Sequence, residues 1–121
     1  MTALDRRCAA AIAAAVNSGK STAVAVAEET LARLAAYDTV QPQIWISRIA
    51  PDDLLAAARA VDARIAAGER LPLAGVPYAA KDNIDVAGFD TTAACPAFAY
   101  RPVGSADVID RLQAAGAICI G

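Results

Sequence analysis

In the first half of the chain the apolar positions fall at helical spacing. Leu4, Cys8, Ala11, Ile12 and Ala15 share one face, which predicts a helix over residues 4–16. "NSGK" at 17–20 breaks it. Val24, Ala27, Leu31, Leu34 and Ala35 resume the period and predict a second helix over 22–36, with Ser21 as its N-cap. The third helix carries the fullest set of signals. Pro51 suits its first turn, Asp52 and Asp53 complement its N-terminal dipole, and Gly68 suits its exit. Its stripe is Leu54, Ala58, Val61 and Ile65. Between the second and third helices, "IWIS" at 44–47 reads as a short strand or an apolar plug.

After Gly68 the pattern changes. "ERLPLAG" is a connection, and "PYAAKDNIDV" reads as one strand, or as two short ones with a bend near Asn83. "AGFDTTAACPAFAYRPVG" is a long loop punctuated by Gly88, Pro96, Pro102 and Gly104, and loops of that length in a small domain are commonly functional. Ser105 then caps a predicted helix over 106–115, with Val108, Ile109 and Leu112 inward and Gly116 at its end. "AICI" at 117–120 is a buried type of strand. Strand, crossover helix and strand predict a parallel pair. A parallel strand of this kind continues into further structure, so the chain reads as truncated after Gly121, with apolar surface left open.

Composition narrows the function classes. The 121 residues carry 11 basic and 13 acidic side chains, with no basic stripe for nucleic acid. Apolar residues reach 57%, but alanine supplies much of that, which predicts a thin core. There is no histidine, which excludes Ser-His-Asp and Cys-His catalysis within these residues and any zinc site that needs imidazole. Cys8, Cys95 and Cys119 are odd in number and form no CxxC pair, so they read as reduced thiols of a cytoplasmic protein. "RRCAAAIAAAV" loosely matches a secretory signal. Asp5 and the weak hydrophobicity of alanine favour an ordinary helix instead. No run is long enough to span a bilayer.

Three apparent motifs reduce to simpler readings. "NSGKST" at 17–22 has the end of a phosphate-binding loop, but Ala14 stands where the first glycine belongs and a helix precedes it. Asp82, Asp85 and Asp90 are irregularly spaced and read as turn-forming, solvated carboxylates rather than metal ligands. Cys95 has the chemistry of a nucleophile, but with no histidine to activate it a packed thiol is the better reading.

Lys81 is different. It follows the small apolar run Val76, Pro77, Tyr78, Ala79 and Ala80, and Ile84 and Val86 come soon after. On a regular strand Ala79, Lys81 and Asn83 share one face, and Ala80 and Asp82 share the other. The amine is thereby separated from the adjacent carboxylate, with Asn83 placed to hydrogen-bond near it. A lysine without a carboxylate partner in a dry, apolar setting loses its proton more easily and then serves as a general base. The plain alternative is a solvated lysine at a strand end.

The residues around Lys81 resemble the first part of the amidase signature family. The resemblance rests on "GVPYAAKDN" at Gly75–Asn83, the pair Thr91–Thr92, and "RLQAAGA" at Arg111–Ala117, in that order. It is strong over 71–121 and diffuse upstream, and within the family "TTAACPAFAY" most resembles allophanate hydrolases. It implies an α/β fold with helices packed on a mixed sheet core, here incomplete: a helical region over 1–70 and the start of the core over 71–121. It also implies a Ser–Ser–Lys triad in which Lys81 is the base. A serine held by a cis peptide bond relays a proton from a second serine, which attacks the amide and forms an acyl-enzyme. Backbone N–H groups stabilise the oxyanion. No metal or organic cofactor is implied. The implied partner is a small amide substrate of the full-length parent, with neither nucleic acid nor membrane; a homodimer is one option for the parent, and the sequence does not fix its oligomeric state. Ala80 and "GFD" at 88–90 are small departures from the family pattern. The large one is that both serines lie downstream of the last strand in the family, while only Ser105 follows Lys81 here. The expectation is therefore an amide-hydrolase segment that is inactive alone. The alternative is a non-catalytic binding or assembly module on the same scaffold.

Overall fold

The computed structural model describes residues 8–121, so Leu4 and the basic start of the chain lie outside the described residues. Helix α1 (Ala9–Asn17) buries Ile12, Ala13 and Val16. Its end is fixed by Asn17. The side-chain amide donates to the carbonyls of Ala13 (2.9 Å) and Leu71 (2.8 Å), and its oxygen accepts the Leu71 N–H (3.0 Å). The break in the sequence at 17–20 is thus also an anchor for the connection that leads to the site.

Helix α2 (Ala23–Asp38) and helix α3 (Pro51–Ala66) pack against each other through small residues; Ala23 and Ala58 are fully buried. The N-cap of α2 is Thr22, not Ser21: its hydroxyl accepts the Ala25 N–H at 3.0 Å. A second acceptor comes from α3. The Asp62 carboxylate takes the Ala23 N–H at 2.7 Å and the Val24 N–H at 3.1 Å. Donors that a helix start leaves unpaired are therefore met by a charge from the neighbouring helix. The buried face of α2 is Ala23, Val26, Ala27 and Thr30. Val24, Leu31 and Leu34 flank it and Ala35 is exposed, so the face is rotated from the one the sequence predicts. The stripe of α3 is as expected at Leu54, Ala58 and Val61, with Ile65 partly buried.

Two parallel strands follow. Strand β1 (Pro77–Tyr78) lies beside β2 (Ile118–Cys119) with Pro77 opposite Ile118 and Tyr78 opposite Cys119. Helix α4 (Asp107–Ala114) is the crossover. The predicted strand over 77–86 is shorter because the Ile84 N–H bonds the Lys81 carbonyl (2.9 Å) and turns the chain at Asn83. Ser105 does not cap α4; Ala106 is its N-cap, and the Ser105 hydroxyl accepts the Ala87 N–H at 2.8 Å. Ile109 is buried, but Val108 is about half exposed rather than inward. Gly116, at φ +94°, ends α4. A Cβ there would lie 3.0 Å from Leu71, so only glycine fits the exit.

One buried cluster joins Ile12, Val16, Val26, Leu54 and Val61 of the helices to Leu71, Val76, Ile118 and Ile120 of the later segment. It is thin, as the alanine content implies: the largest fully buried side chains are Leu54, Val16 and Thr91. "IWIS" is not a strand. After a 3₁₀ turn over Pro42–Ile44, Trp45 packs on the cluster while Ile44 and Ile46 stay exposed.

Asp62→Ala removes two charge-assisted bonds from the start of α2 and is expected to cost about 2 kcal/mol. Asp62→Asn keeps one acceptor and should cost about half as much, about 1 kcal/mol. Urea unfolding of the three proteins measures both.

Candidate active site around Lys81

The ladder does not stop at the assigned strand ends. The Ile120 N–H bonds the Tyr78 carbonyl (2.9 Å) and the Ala80 N–H bonds the Gly121 carbonyl (2.8 Å). On the other side of β2, the Ile49 N–H bonds the Ile120 carbonyl (3.0 Å). Lys81 and Gly121 therefore stand together just past the carboxyl ends of two parallel strands, where open α/β sheets bind ligands. A cleft of about 180 Å³ opens there, lined by Trp45, Ser47, Lys81, Asp82, Phe89 and Gly121 among others. Trp45 and the Ser47 carbonyl press on Gly121 so closely that a Cβ would lie 2.6 Å from each. A glycine at this position lets the 44–47 segment close one wall of the cleft.

Lys81 is exposed at this cleft, with no hydrogen-bond or ion-pair partner among the described residues. The dry setting expected from the sequence is not formed, because the cleft is walled only by the 44–47 segment, the 80–90 turn and the end of β2. The alternation does persist past the ladder: Ala79, Lys81 and Asn83 are exposed, while Ala80, Asp82 and Ile84 are half-buried. Asn83 makes no side-chain hydrogen bond among the described residues.

The carboxylates near Lys81 are all engaged; Asp82 and Asp85 are half-buried, which corrects their reading as solvated, while Asp90 is exposed as expected. Asp82 Oδ2 accepts both the hydroxyl of Thr92 and its N–H (3.1 Å). The Asp82 carbonyl takes the N–H groups of Thr92 (3.2 Å) and Ala93 (3.0 Å). Asp85 Oδ1 accepts the hydroxyls of Thr91 (2.8 Å) and Tyr100 (2.6 Å). Thr91 is buried and also exchanges backbone bonds with Tyr100 at 2.8 and 3.0 Å. Asp90 is exposed and pairs with Arg101 at 2.9 Å. The two threonines are thus the clasp between the long loop and the lysine turn. Sequence reasoning left their roles open and missed Tyr100. All that the sequence offers is two hydroxyls, at 91 and 92, six to ten residues after the aspartates at 85 and 82.

The clasp holds a strained turn. Cys95 N–H bonds the Thr92 carbonyl (2.8 Å), and the residues between, Ala93 and Ala94, have φ of +49° and +59°. Each left-handed alanine costs about 1–2 kcal/mol, and such strain persists where surrounding bonds over-determine it. Cys95 itself is exposed, not packed. Cys119 is half-buried beside Tyr78, whose hydroxyl is pushed up to about 12 first by burial and then by Cys119. Among the described residues no cluster of three metal-ligating side chains occurs, and no helix is long and apolar enough to cross a membrane.

The Tyr100 hydroxyl, followed by that of Thr91, holds the Asp85 carboxyl below its ordinary value of 3.8. A carboxyl whose folded pKa is depressed stabilises the fold fully above the unfolded value, and that stabilisation disappears as pH falls through the folded value. Asp85→Asn should therefore be less stable than the parent at neutral pH, and the gap should narrow as pH falls below 3.8. The same bond raises Tyr100 above 10.0, so its contribution is present below that pH and is lost as pH rises through the raised value. Urea midpoints across the pH range check both limbs, and a gap that persists in acid would contradict the first.

The amidase family model matches residues 27–121. The urea amidolyase of Saccharomyces cerevisiae is 51% identical over 77 residues, which are 64% of this chain and 4% of that protein. One polypeptide of the glutamyl-tRNA(Gln) amidotransferase of Chloroflexus aurantiacus is 43% identical over 124 aligned positions, covering 100% of this chain and 25% of that polypeptide. Among solved structures, the allophanate hydrolase of Kluyveromyces lactis matches with a TM-score of 0.69 at 38% identity, over 86% of this chain and 17% of its own. The chain thus spans a quarter or less of the length of these relatives. With the α/β architecture and the match over 27–121 in agreement, the chain belongs to the amidase family.

Proposed function

We propose that these residues are the lysine-bearing segment of an amide hydrolase and that Lys81 is its general base. The observation that carries this is the unpartnered amine. At the carboxyl end of the parallel pair, Asp82, Asp85 and Asp90 are bound to Thr92, to Thr91 and Tyr100, and to Arg101, and Lys81 alone is left without a partner among the described residues. An ion pair would hold the amine as an ammonium, so a base needs a site without one; the dry walls that also favour the free amine would come from residues outside this segment.

In this reading Lys81 Nζ takes a proton from a bridging serine, which takes one from the nucleophilic serine as it attacks the amide carbon. The relay returns that proton to the amide nitrogen, the C–N bond breaks and the neutral amine leaves, an acyl-enzyme remains and water hydrolyses it. The bridging and nucleophilic serines come from outside these 121 residues. Ser105, which alone follows Lys81, accepts the Ala87 N–H, and Ser18 bonds the Ala15 carbonyl; Ser47 shares the cleft with Lys81 as part of its wall, and this reading gives it no role in the triad. The segment therefore turns over no amide by itself. The substrate assigned is allophanate, supported by the urea amidolyase and allophanate hydrolase likenesses. In this reading the working protein is cytoplasmic and uses neither metal nor organic cofactor.

Grafting residues 27–121 in place of the matching segment of the Kluyveromyces lactis allophanate hydrolase tests the role directly. The graft should hydrolyse allophanate. Lys81→Met in it should lower kcat by about 10²–10⁴-fold with the fold intact, the usual cost of losing a general base. A folded Lys81→Met graft with undiminished kcat would leave the segment as a binding or assembly scaffold. Allophanate turnover by the 121-residue chain alone, abolished by Lys81→Ala, would contradict the division of labour.

A further inference from the structure

We propose that Thr92 is a positioning residue for Lys81, acting through Asp82: it holds the Asp82 carboxylate so that the adjacent amine gains no ion-pair partner. This rests on the reading of Lys81 as a base, but the test below does not use activity.

Lys81 and Asp82 are neighbours in sequence and both line the cleft, yet they form no ion pair. Alternation starts the two side chains on different faces, and the long loop fixes the carboxylate on its own side. The N–H and hydroxyl of Thr92 converge on the single oxygen Oδ2 of Asp82, so the carboxylate cannot swing toward the amine without losing both donors. The backbone repeats the clasp, because the Asp82 carbonyl binds the N–H groups of Thr92 and Ala93. The turn beyond, with Ala93 and Ala94 left-handed, directs the Ala94 N–H back onto the Thr92 hydroxyl oxygen at 3.1 Å. The hydroxyl is thus oriented by one bond to give another.

The other titratable groups facing Lys81 across the cleft are few. Asp90 is paired with Arg101 at 2.9 Å, β2 contributes the half-buried thiol of Cys119, and in the 121-residue protein the α-carboxylate of Gly121 also lines the cleft, with an oxygen held by the Ala80 N–H at 2.8 Å. The 44–47 wall contributes Ile44, Trp45, Ile46 and Ser47, none of them charged. Asp82 is therefore the carboxylate whose release would change the amine most. A threonine serves where valine would fit sterically because the task needs an O–H donor.

The chain has only two lysines, Lys20 and Lys81, which supplies an internal reference. Acetic anhydride reacts with the free amine and not with the ammonium. The ratio of Lys81 to Lys20 acetylation at neutral pH, read by mass spectrometry on the 121-residue protein, therefore reports how far Lys81 is held as an ion. Thr92→Ala should lower this ratio roughly two- to five-fold, the range set by one partly solvated ion pair. Thr92→Ser, which keeps the hydroxyl, should retain the parental ratio. Adding Asp82→Asn to Thr92→Ala should restore it, because the released group is then uncharged. Asp82→Asn alone should leave it unchanged. An unchanged ratio in Thr92→Ala, or failure of the double variant to recover, would overturn the proposal. So would a large rise in Asp82→Asn alone, and that arm decides the matter even if Thr92→Ala does not fold. None of these outcomes bears on whether the graft needs Lys81 for turnover, so the two proposals fail separately.

Discussion

Two donors of Thr92 meet on one oxygen of Asp82, and the residue beside that aspartate is a lysine with nothing bound to it among the described residues. An exposed ion pair between neighbours is weak, about 0–1 kcal/mol. Two hydrogen bonds to this half-buried carboxylate, at about 1 kcal/mol net each, together outweigh it, and one alone only balances it. The carboxylate goes to the loop, and the amine is left over. The chemistry open to the cleft depends on that competition.

The fold supplies the conditions for it. The parallel pair brings Gly121 beside Ala80 and stops the ladder one residue before Lys81. Asn17 pins Leu71 at the entry to this segment, and Gly116 lets the crossover return tightly against Leu71. A second node, Asp85 with Thr91 and Tyr100, fixes the far side of the long loop. Because Thr91 is buried, Asp82 and Asp85 are half-buried and Lys81 is exposed, the loop is anchored from within and offers its polar edge to the cleft. The strain in Ala93 and Ala94 is tolerated because bonds from both directions hold the turn.

Much of this was legible in the residues. The three helices announce themselves by apolar spacing, and Pro51 and Gly68 mark the limits of α3 closely. The parallel pair followed from strand, helix and strand. Lys81 stood out by its apolar run. What could not be read was set by contacts distant in sequence. Thr22, not Ser21, caps α2, and Asp62 reaches it from 39 residues away. Val108 is exposed because only one face of the short helix α4 meets the sheet. Strand length failed because the turn at Asn83 competes with the ladder for the same backbone groups. The aspartates looked solvated because their partners lie six to fifteen residues on, beyond any local motif.

Restoring a missing amine tests the central claim most directly. In the allophanate hydrolase graft carrying Lys81→Ala, small primary amines added to the solution should recover allophanate hydrolysis, with a rate that rises with amine concentration and basicity. If the Lys81→Ala graft is folded and matches the unsubstituted graft without any amine, or if no amine of any basicity changes its rate, Lys81 is not the base.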